Sequence, residues 1–498
     1  MKKRMILCLL AGLLVTSTVS CGGDTTETQP TAPSEQTETS AVETESTISL
    51  GIPEEDNEGR DFHILVPTEK AYEFATEATG EAVNDAVYNR TLATEEHFNI
   101  KFSYQTESGD WNVRDTYNNF ISNAVIAGDS TYDLATGFIV CTLPIFTSGN
   151  FIDLSTLSAL NLDNPWWMAN QYENLNIKGK QFCCFGDANL SVYKGKQFCC
   201  FGDANLSVYK DCAVVYFNKQ VLKNFGLEDP YALVRDNEWT MDKFLSMSEM
   251  AVIDLNGDGK IDPKVDAVGA YIQHVPLRAF STATDVRMFT QDEDGNYTST
   301  GINDRMLKVH EWVQLFGKRD DLYKEGGGVD HQAFAELLAS DRALFYLSYL
   351  YVLEGELMRN MESDFGIVPY PKFDSEQEMY KTQIGTSSNV NFLPLTCSNA
   401  SLTCRVLETL AYHSMLDVVP TYYTIALESK YTRDNDVQEM LQIIRDGMTM
   451  NFDFAFSTCL SPMPNSALQD AQDNLASFLA KHEKNWNTQI EKLCENLD

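Results

Sequence analysis

The sequence predicts an α/β protein built on mostly parallel sheets, and three observations carry that prediction. Apolar stretches of strand composition alternate with stretches of helical periodicity, which is the signature of βαβ units. The chain has 498 residues, 43% hydrophobic and 11% aromatic, enough for two or three domains with large cores. The alternation breaks near residue 180 and resumes after the duplicated segment, with Cys212–Phe217 as a buried strand.

Arg60–Pro67 opens the body as a strand. From Glu81 to Phe98, Val83, Ala86, Val87, Leu92 and Phe98 recur at helical spacing. Ile100–Tyr104 is a second strand. Trp111–Ala127 is a second helix, with Trp111, Tyr117, Phe120, Ile121 and Val125 on one side, and Tyr132–Thr136 is a third strand. Further on, Cys212–Phe217 reads as a buried strand, Lys219–Phe225 and Met241–Ala251 as helices. Leu344–Tyr351 is an aromatic strand, and Phe365–Lys372 is a strand running into a Pro-punctuated loop. From Cys404 to Lys492 the pattern is mostly helical.

Charge narrows the function. There are 72 Asp plus Glu against 37 Lys plus Arg, a formal charge of −35. Phosphate neutralisation needs clustered bases, so a nucleic-acid partner is disfavoured, as is docking on anionic lipid by charge alone. The field favours neutral or cationic ligands over anions. No Gly-rich loop follows any strand, so nucleotide binding has no support.

The first residues place Lys2, Lys3 and Arg4 before an apolar run from Met5 to Val15. That run is too short to span a bilayer and matches a secretory signal. Thr18-Val19-Ser20-Cys21 then resembles a bacterial lipobox, which implies lipidation at Cys21 and a stable anchor. An ordinary signal peptide cut near Ser20 is the alternative. From Asp24 to Arg60 there are ten acids and one base with few large apolar residues, a self-repelling tether. The expected location is the extracytoplasmic face of a cell membrane, with residues 1–20 as signal and 21–59 as anchor and linker.

Twelve cysteines occur, and outside Cys8 and Cys21 their spacings resemble neither a disulfide framework nor a zinc set. Cys397 and Cys404 could pair; buried thiols are the blander expectation for the rest. Lys178–Tyr193 reads KGKQFCCFGDANLSVY, and Lys194–Tyr209 repeats it without a change. Two copies do not make a solenoid. The expectation is that one copy fills a core strand and the other is extruded as a loop or extra hairpin, so deleting residues 194–209 should raise the melting temperature.

Several short pieces resemble the extracellular solute-binding proteins of carbohydrate importers, the maltose-binding-protein-like lipoproteins of ABC transporters. These pieces are Tyr132-Asp-Leu, Tyr216-Phe-Asn-Lys219 with the Gly226-Leu-Glu-Asp-Pro230 turn, Trp239-Thr-Met-Asp-Lys-Phe244, Phe365-Gly-Ile-Val-Pro-Tyr-Pro-Lys372 and Pro420-Thr-Tyr-Tyr423. Their order covers about residues 60 to 498. The resemblance implies a two-lobed periplasmic-binding-protein-like fold of class II, with a ligand cleft between lobes. By that analogy lobe 1 takes 60–185 and 386–446, residues 186–209 are hinge-proximal, and lobe 2 takes 210–385 and 447–498. It implies a monomer that hands a sugar or other small neutral solute to ABC permease subunits. A surface glycan-binding or sensory lipoprotein is the rival function.

A sugar wants flat aromatic faces for its C–H surface and polar groups for its hydroxyls. Strand ends and crossing segments then nominate Phe138, Asp203, Asn205 (or the twins Asp187 and Asn189), Tyr349, Tyr351 and Asn389 as ligand-binding residues. Trp166, Trp167 and Trp239 are expected to be structural. Asp254-Leu-Asn-Gly-Asp-Gly-Lys-Ile-Asp262 resembles an EF-hand loop. Its calcium ligands would be Asp254, Asn256, Asp258, the Lys260 carbonyl and Asp262; Val265 stands at the closing position, and Asp266 is the substitute. Such a Ca²⁺ would be structural. No G-x-S-x-G or H-E-x-x-H occurs and no carboxylate pair stands out, so an enzyme is not expected.

Overall fold

The computed structural model describes residues 48–167, 176–177, 180–181, 183–185, 199–274, 276–292, 296–325, 330–428, 435–470 and 474–495. The signal, Cys21 and the tether up to residue 47 lie outside these, as do Asp187 and Asn189. Residues 50–498 form one compact unit. Two sheets organise it.

In chain order the strands of the two sheets and their links are β1 (Arg60–Pro67), β2 (Ile100–Glu107), β3 (Leu134–Phe138), β4 (Cys183–Phe185), β5 (Cys199–Phe201), β6 (Ala213–Asn218), β7 (Val268–Gln273), β8 (Leu322–Glu325), β9 (Ala343–Tyr349), β10 (Phe365–Val368), β11 (Thr382–Gln383), β12 (Asn389–Phe392) and β13 (Met448–Thr449). The helices that matter here are α1 (Ala82–Phe98), α2 (Arg114–Ile126), α3 (Lys219–Phe225), α4 (Met241–Met250), α5 (Ala400–His413), α6 (Val419–Glu428) and α7 (Asn435–Asp446). The first sheet runs β2-β1-β3-β12-β5-β4 and the second β8-β7-β9-β6-β10.

Both sheets are mixed, which departs from the mostly parallel expectation. In the first, β1, β2 and β3 are parallel, but β12 is antiparallel to β3 and β5. In the second, β7, β8 and β9 are parallel, while β6 is antiparallel to β9 and β10. The reversed strands β6 and β12 are those that enter a sheet directly from a segment passing between the two. There β11 pairs with β13 in parallel, so two of the passages lie side by side.

The local sequence explains the elements. β6, β7 and β9 read AVVYFN, VGAYIQ and ALFYLSY and are buried almost throughout, as expected of strands covered on both faces. Glu81 caps α1 by accepting the Asn84 N–H, and Asn99 ends it in the left-handed region. Gly269 lies so close under the Ser248 carbonyl of α4 that a Cβ would collide with it. The tandem tryptophans are structural. Trp166 and Trp167 both donate their indole N–H to the buried carboxylate of Glu408, which also accepts from Asn161 and Asn164. Burial raises the Glu408 pKa, and those donors oppose the rise. Trp239 is buried and donates to the Pro369 carbonyl.

The duplicated segment occupies two places. The second copy supplies β5, between β12 and β4. The first supplies β4, an edge strand parallel to β5 with each residue opposite its own twin: Cys183 with Cys199, Cys184 with Cys200, Phe185 with Phe201. The first copy therefore adds an edge strand, and just before it Lys180–Gln181 pair antiparallel with Asn176–Ile177, so part of the copy forms a short hairpin as expected. Chain continuity decides which copy takes the inner place. Only the second leads straight into Lys210, Asp211 and β6, and Asp211 is needed where the two sheets meet.

Candidate ligand cleft

The C-terminal ends of β1 and β9 face a common seam, the usual position for a site in open α/β sheets. Beyond β1 the chain tightens into a turn, Thr68–Glu73, that presents Lys70 and Tyr72. Beyond β9 it forms a second turn, Leu350–Glu354, that presents Tyr351, Leu353 and Glu354. Between them runs the passage from β5 to β6, carrying Lys210 and Asp211.

Two ion pairs stitch this seam. Lys70 Nζ lies 2.7 Å from Asp211, both largely buried, and Ser387 Oγ donates to the same carboxylate at 2.9 Å. Lys210 Nζ lies 2.7 Å from Glu354. The lysines also sit over aromatic faces: Lys70 is 5.3 Å from the Phe138 ring centre, and Lys210 is 4.6 Å from that of Tyr72. Tyr349 and Tyr351 stack at 5.9 Å with His331 edge-on to both. Burial drives the His331 imidazole down to about 4, so it is neutral at pH 7.

Beside the Lys210–Glu354 pair opens a cavity of about 580 Å³, within the usual range for small-molecule sites. Tyr72, the start of α1 (Glu81, Val83, Asn84 and Val87), Leu206 and Lys210 form one side. Leu353, Glu354 and Arg359 form the other, and Tyr422 and Ile425 of α6 close it. A second hollow beneath Tyr349, also lined by Gln383, Gly385 and Phe454, has room for about one water only.

The nominated residues separate into two groups. Phe138, Tyr349 and Tyr351 come together near the Lys70–Asp211 pair: Phe138 lies under Lys70, and Asp211 contributes to raising both tyrosine pKa values behind burial. Asp203, Asn205 and Asn389 lie in buried polar networks behind the seam, because their partners are protein groups. Asn205 and Asn391 exchange side-chain hydrogen bonds at 2.6 and 3.3 Å. Asn389 donates to Glu73 at 2.8 Å, and its N–H donates to Ser207 Oγ. Asp203 accepts from the Tyr209 hydroxyl and faces Arg445 at 3.4 Å. Burial nevertheless pushes its carboxyl up to about 6.

Sequence reasoning missed Tyr72, Lys210, Glu354 and Tyr422. Lys210 follows the repeat directly and Tyr72 follows β1 by five residues, so the strand-end rule reaches them once strand ends are fixed. Tyr422 comes from a helix distant in sequence; the resemblance of Pro420-Thr-Tyr-Tyr423 marked the segment but did not point to a site.

The acidic loop closes on itself. Asp254 accepts the N–H of Gly257 and Gly259 at 2.7 Å, and Asp258 accepts that of Lys260. Asp266 is buried, and its two oxygens accept three backbone N–H groups, from Leu255, Asn256 and Asp262. These bonds lower its pKa. Asp266 thus ties the two ends of the loop together. Among the described residues no group of three or more His, Cys, Asp or Glu side chains is placed to hold a metal ion.

No family model and no curated protein matches the sequence. Solved structures do match the fold. One is the galacto-N-biose/lacto-N-biose I-binding protein of an ABC transporter from Bifidobacterium longum in complex with lacto-N-biose: TM-score 0.55, 11% identity, 88% of this chain and 99% of that one. Another is an ABC substrate-binding protein from Listeria monocytogenes in complex with cycloalternan: 0.52, 12% identity, 87% and 99%. A third is an ABC transporter solute-binding protein from Thermotoga lettingae bound with α-D-tagatose: 0.51, 13% identity, 87% and 100%. At such identities the likeness is one of fold. The chain has the two-lobed α/β architecture of ABC-transporter solute-binding proteins, each sheet marking a lobe and the seam lying between them.

Proposed function

We propose that this chain is the solute-binding lipoprotein of an ABC-type importer. It captures a neutral sugar or oligosaccharide between its lobes and delivers it to membrane permease subunits. The observation that carries the proposal is the cavity at the seam, with walls from the turns after β1 and β9 and from the passage joining the sheets. Tyr72 and Tyr422 supply ring surface. Lys210 and Glu354 neutralise one another and still offer a donor and acceptors for hydroxyls. Lobe closure around such a guest needs hinge passages, and β11 with β13 provides two in register.

The fold neighbours are binding proteins, which agrees with a non-catalytic role. Lipidation at Cys21 and extracytoplasmic residence complete the proposal. No helix among the described residues is long and apolar enough to cross a membrane, so the anchor would have to hold the body at the surface. Calcium enters as a further proposal: the oxygens of Asp254, Asn256, Asp258 and Asp262 and the Lys260 carbonyl would turn inward on binding. A Ca²⁺-dependent rise in melting temperature supports that, and its absence removes it.

The test is a thermal-shift screen of the full chain with neutral mono- and oligosaccharides. A ligand that binds the folded form raises the melting temperature with its concentration. A flat response to every saccharide overturns the proposal. Loss of uptake of the identified sugar when a permease gene is deleted would separate transport from surface sensing.

A further inference from the structure

We propose that the turn Thr68–Glu73 clamps the hinge as well as walling the cavity, and that Glu73 is the positioning residue of that clamp. This rests on reading the cavity as the ligand site, and it adds how that site is tied to the passages between the lobes. Lys70 and Glu73 stand three residues apart in the turn, and each reaches the same two passages. Lys70 pairs with Asp211 of the passage from β5 to β6, and Ser387, of the passage from β11 to β12, donates to the same carboxylate. Glu73 accepts from the Ser207 N–H of the first passage at 2.5 Å. It also accepts from the side-chain amide of Asn389, where the second passage enters β12, at 2.8 Å. The Asn389 N–H in turn donates to Ser207 Oγ at 2.9 Å. Turn, first passage and second passage thus meet twice.

The Glu73 meeting is the deeper of the two, because Glu73, Ser207 and Asn389 are each at most 1% exposed. Both donors to the Glu73 carboxylate come from outside its own turn. A buried carboxylate that loses a donor is left short of a hydrogen bond where water cannot replace it. The passages are therefore not free to slide past the turn one at a time. Arg90 of α1 braces the same corner: it donates to the carbonyls of Glu73 and Ala204 and to Ser414 Oγ, ahead of α6. Tyr72 lies between the two clamping residues and lines the cavity, as do Leu206 and Lys210 on either side of Ser207. The same turn and passage thus set the hinge and one cavity wall, and Glu73 acts without touching a ligand.

The test is the distance between spin labels carried on clickable amino acids at Ile126 and Met250, exposed positions of lobe 1 and lobe 2, in the ligand-free full chain. Glu73→Ala should raise the population outside the main distance peak at least about tenfold. Glu73→Gln should keep the single peak. Its carbonyl can accept from Ser207, and its amide can donate to Asn389 Oδ1, which has no partner among the described residues, once the Asn389 amide turns over. Asn389→Ala removes one donor, leaves the turn intact and should raise the same population about threefold. Asp266→Ala loosens the acidic loop, which shares no residue with the passages; it should lower the melting temperature and leave the distances alone. An unchanged peak in Glu73→Ala overturns the proposal, and if that chain does not fold, an unchanged peak in Asn389→Ala overturns it. Equal broadening in Glu73→Gln or in Asp266→Ala overturns it too. No sugar enters this measurement, so an empty saccharide screen would remove the saccharide reading and leave the clamp standing.

Discussion

The two copies of KGKQFCCFGDANLSVY are the same sixteen residues in different surroundings. The second copy gives a strand paired on both sides, a carboxylate opposite Arg445, an amide locked to Asn391, and the lysine that reaches Glu354 just beyond it. The first copy gives an edge strand paired on one side within the sheet. Local propensity is identical, so the difference comes from the residues next in the chain after each copy. The second runs into Lys210, Asp211 and β6; the first runs into Lys194-Gly195. Position in the fold here is set by chain connectivity and by the partners that wait for the segment.

Twin substitutions break or sharpen this comparison. The largest contrast is expected at the aspartates. Asp203→Ala leaves Arg445 and the Tyr209 hydroxyl without their partner and should cost about 3 kcal/mol. Asp187 belongs to the copy that gives only the edge strand, so Asp187→Ala should cost less than Asp203→Ala. Urea unfolding of both variants measures the gap, and equal losses would refute the assignment of the inner place to the second copy. The glycines come next. A Cβ on Gly202 would lie 2.5 Å from the Trp166 carbonyl and 2.9 Å from the Trp167 ring, so Gly202→Ala should cost about 1–3 kcal/mol, with Gly186→Ala well below it.

Removing one copy has a smaller expected effect. Deleting 178–193 or 194–209 yields the same polypeptide, so a single deletion variant tests both. It keeps a strand beside β12, loses only edge pairing and shortens the connection, and its melting temperature should rise by a few degrees. A clear fall would show that the edge strand stabilises the body.

The smallest effect is on pH dependence. Asp203 binds its proton more tightly folded, at about 6, than unfolded. Its contribution to stability therefore falls as pH rises from about 4 to about 6 and is flat above. Asp203→Asn should flatten that window. Asp266 is the opposite case: its folded pKa is lowered, so its contribution is present above the ordinary carboxylate range and lost in acid. Asp266→Asn should remove that acid-side loss and also lower stability at neutral pH, because an amide has one oxygen where two accept backbone N–H groups.

Strand and helix positions were legible wherever periodicity and caps agreed. Arg60–Pro67 and Lys219–Phe225 stand where the pattern put them, and α1 begins one residue after the expected Glu81, which is its cap. Sheet direction was not legible, because alternation of strands and helices does not say which strands arrive from the other lobe. For the site, strand ends led to Phe138, Tyr349 and Tyr351, which gather near the Lys70–Asp211 pair, but none of the three is among the described residues that line the larger cavity. Asp203, Asn205 and Asn389 were nominated for the same proximity to the passages, yet a polar residue there can equally serve the passages themselves. Glu354 and Tyr422 approach from elements far apart in sequence, and only the fold brings them to Lys210.

Two-sided capture of a neutral saccharide at the seam is the central claim. Hydrogen–deuterium exchange of the full chain, with and without a saturating saccharide found in the thermal-shift screen, tests it directly. The account predicts slower exchange together in residues 68–73, 206–212, 350–359 and 419–428, which come from both sides of the cavity. Slowing confined to one side, or located away from all four segments, would contradict it.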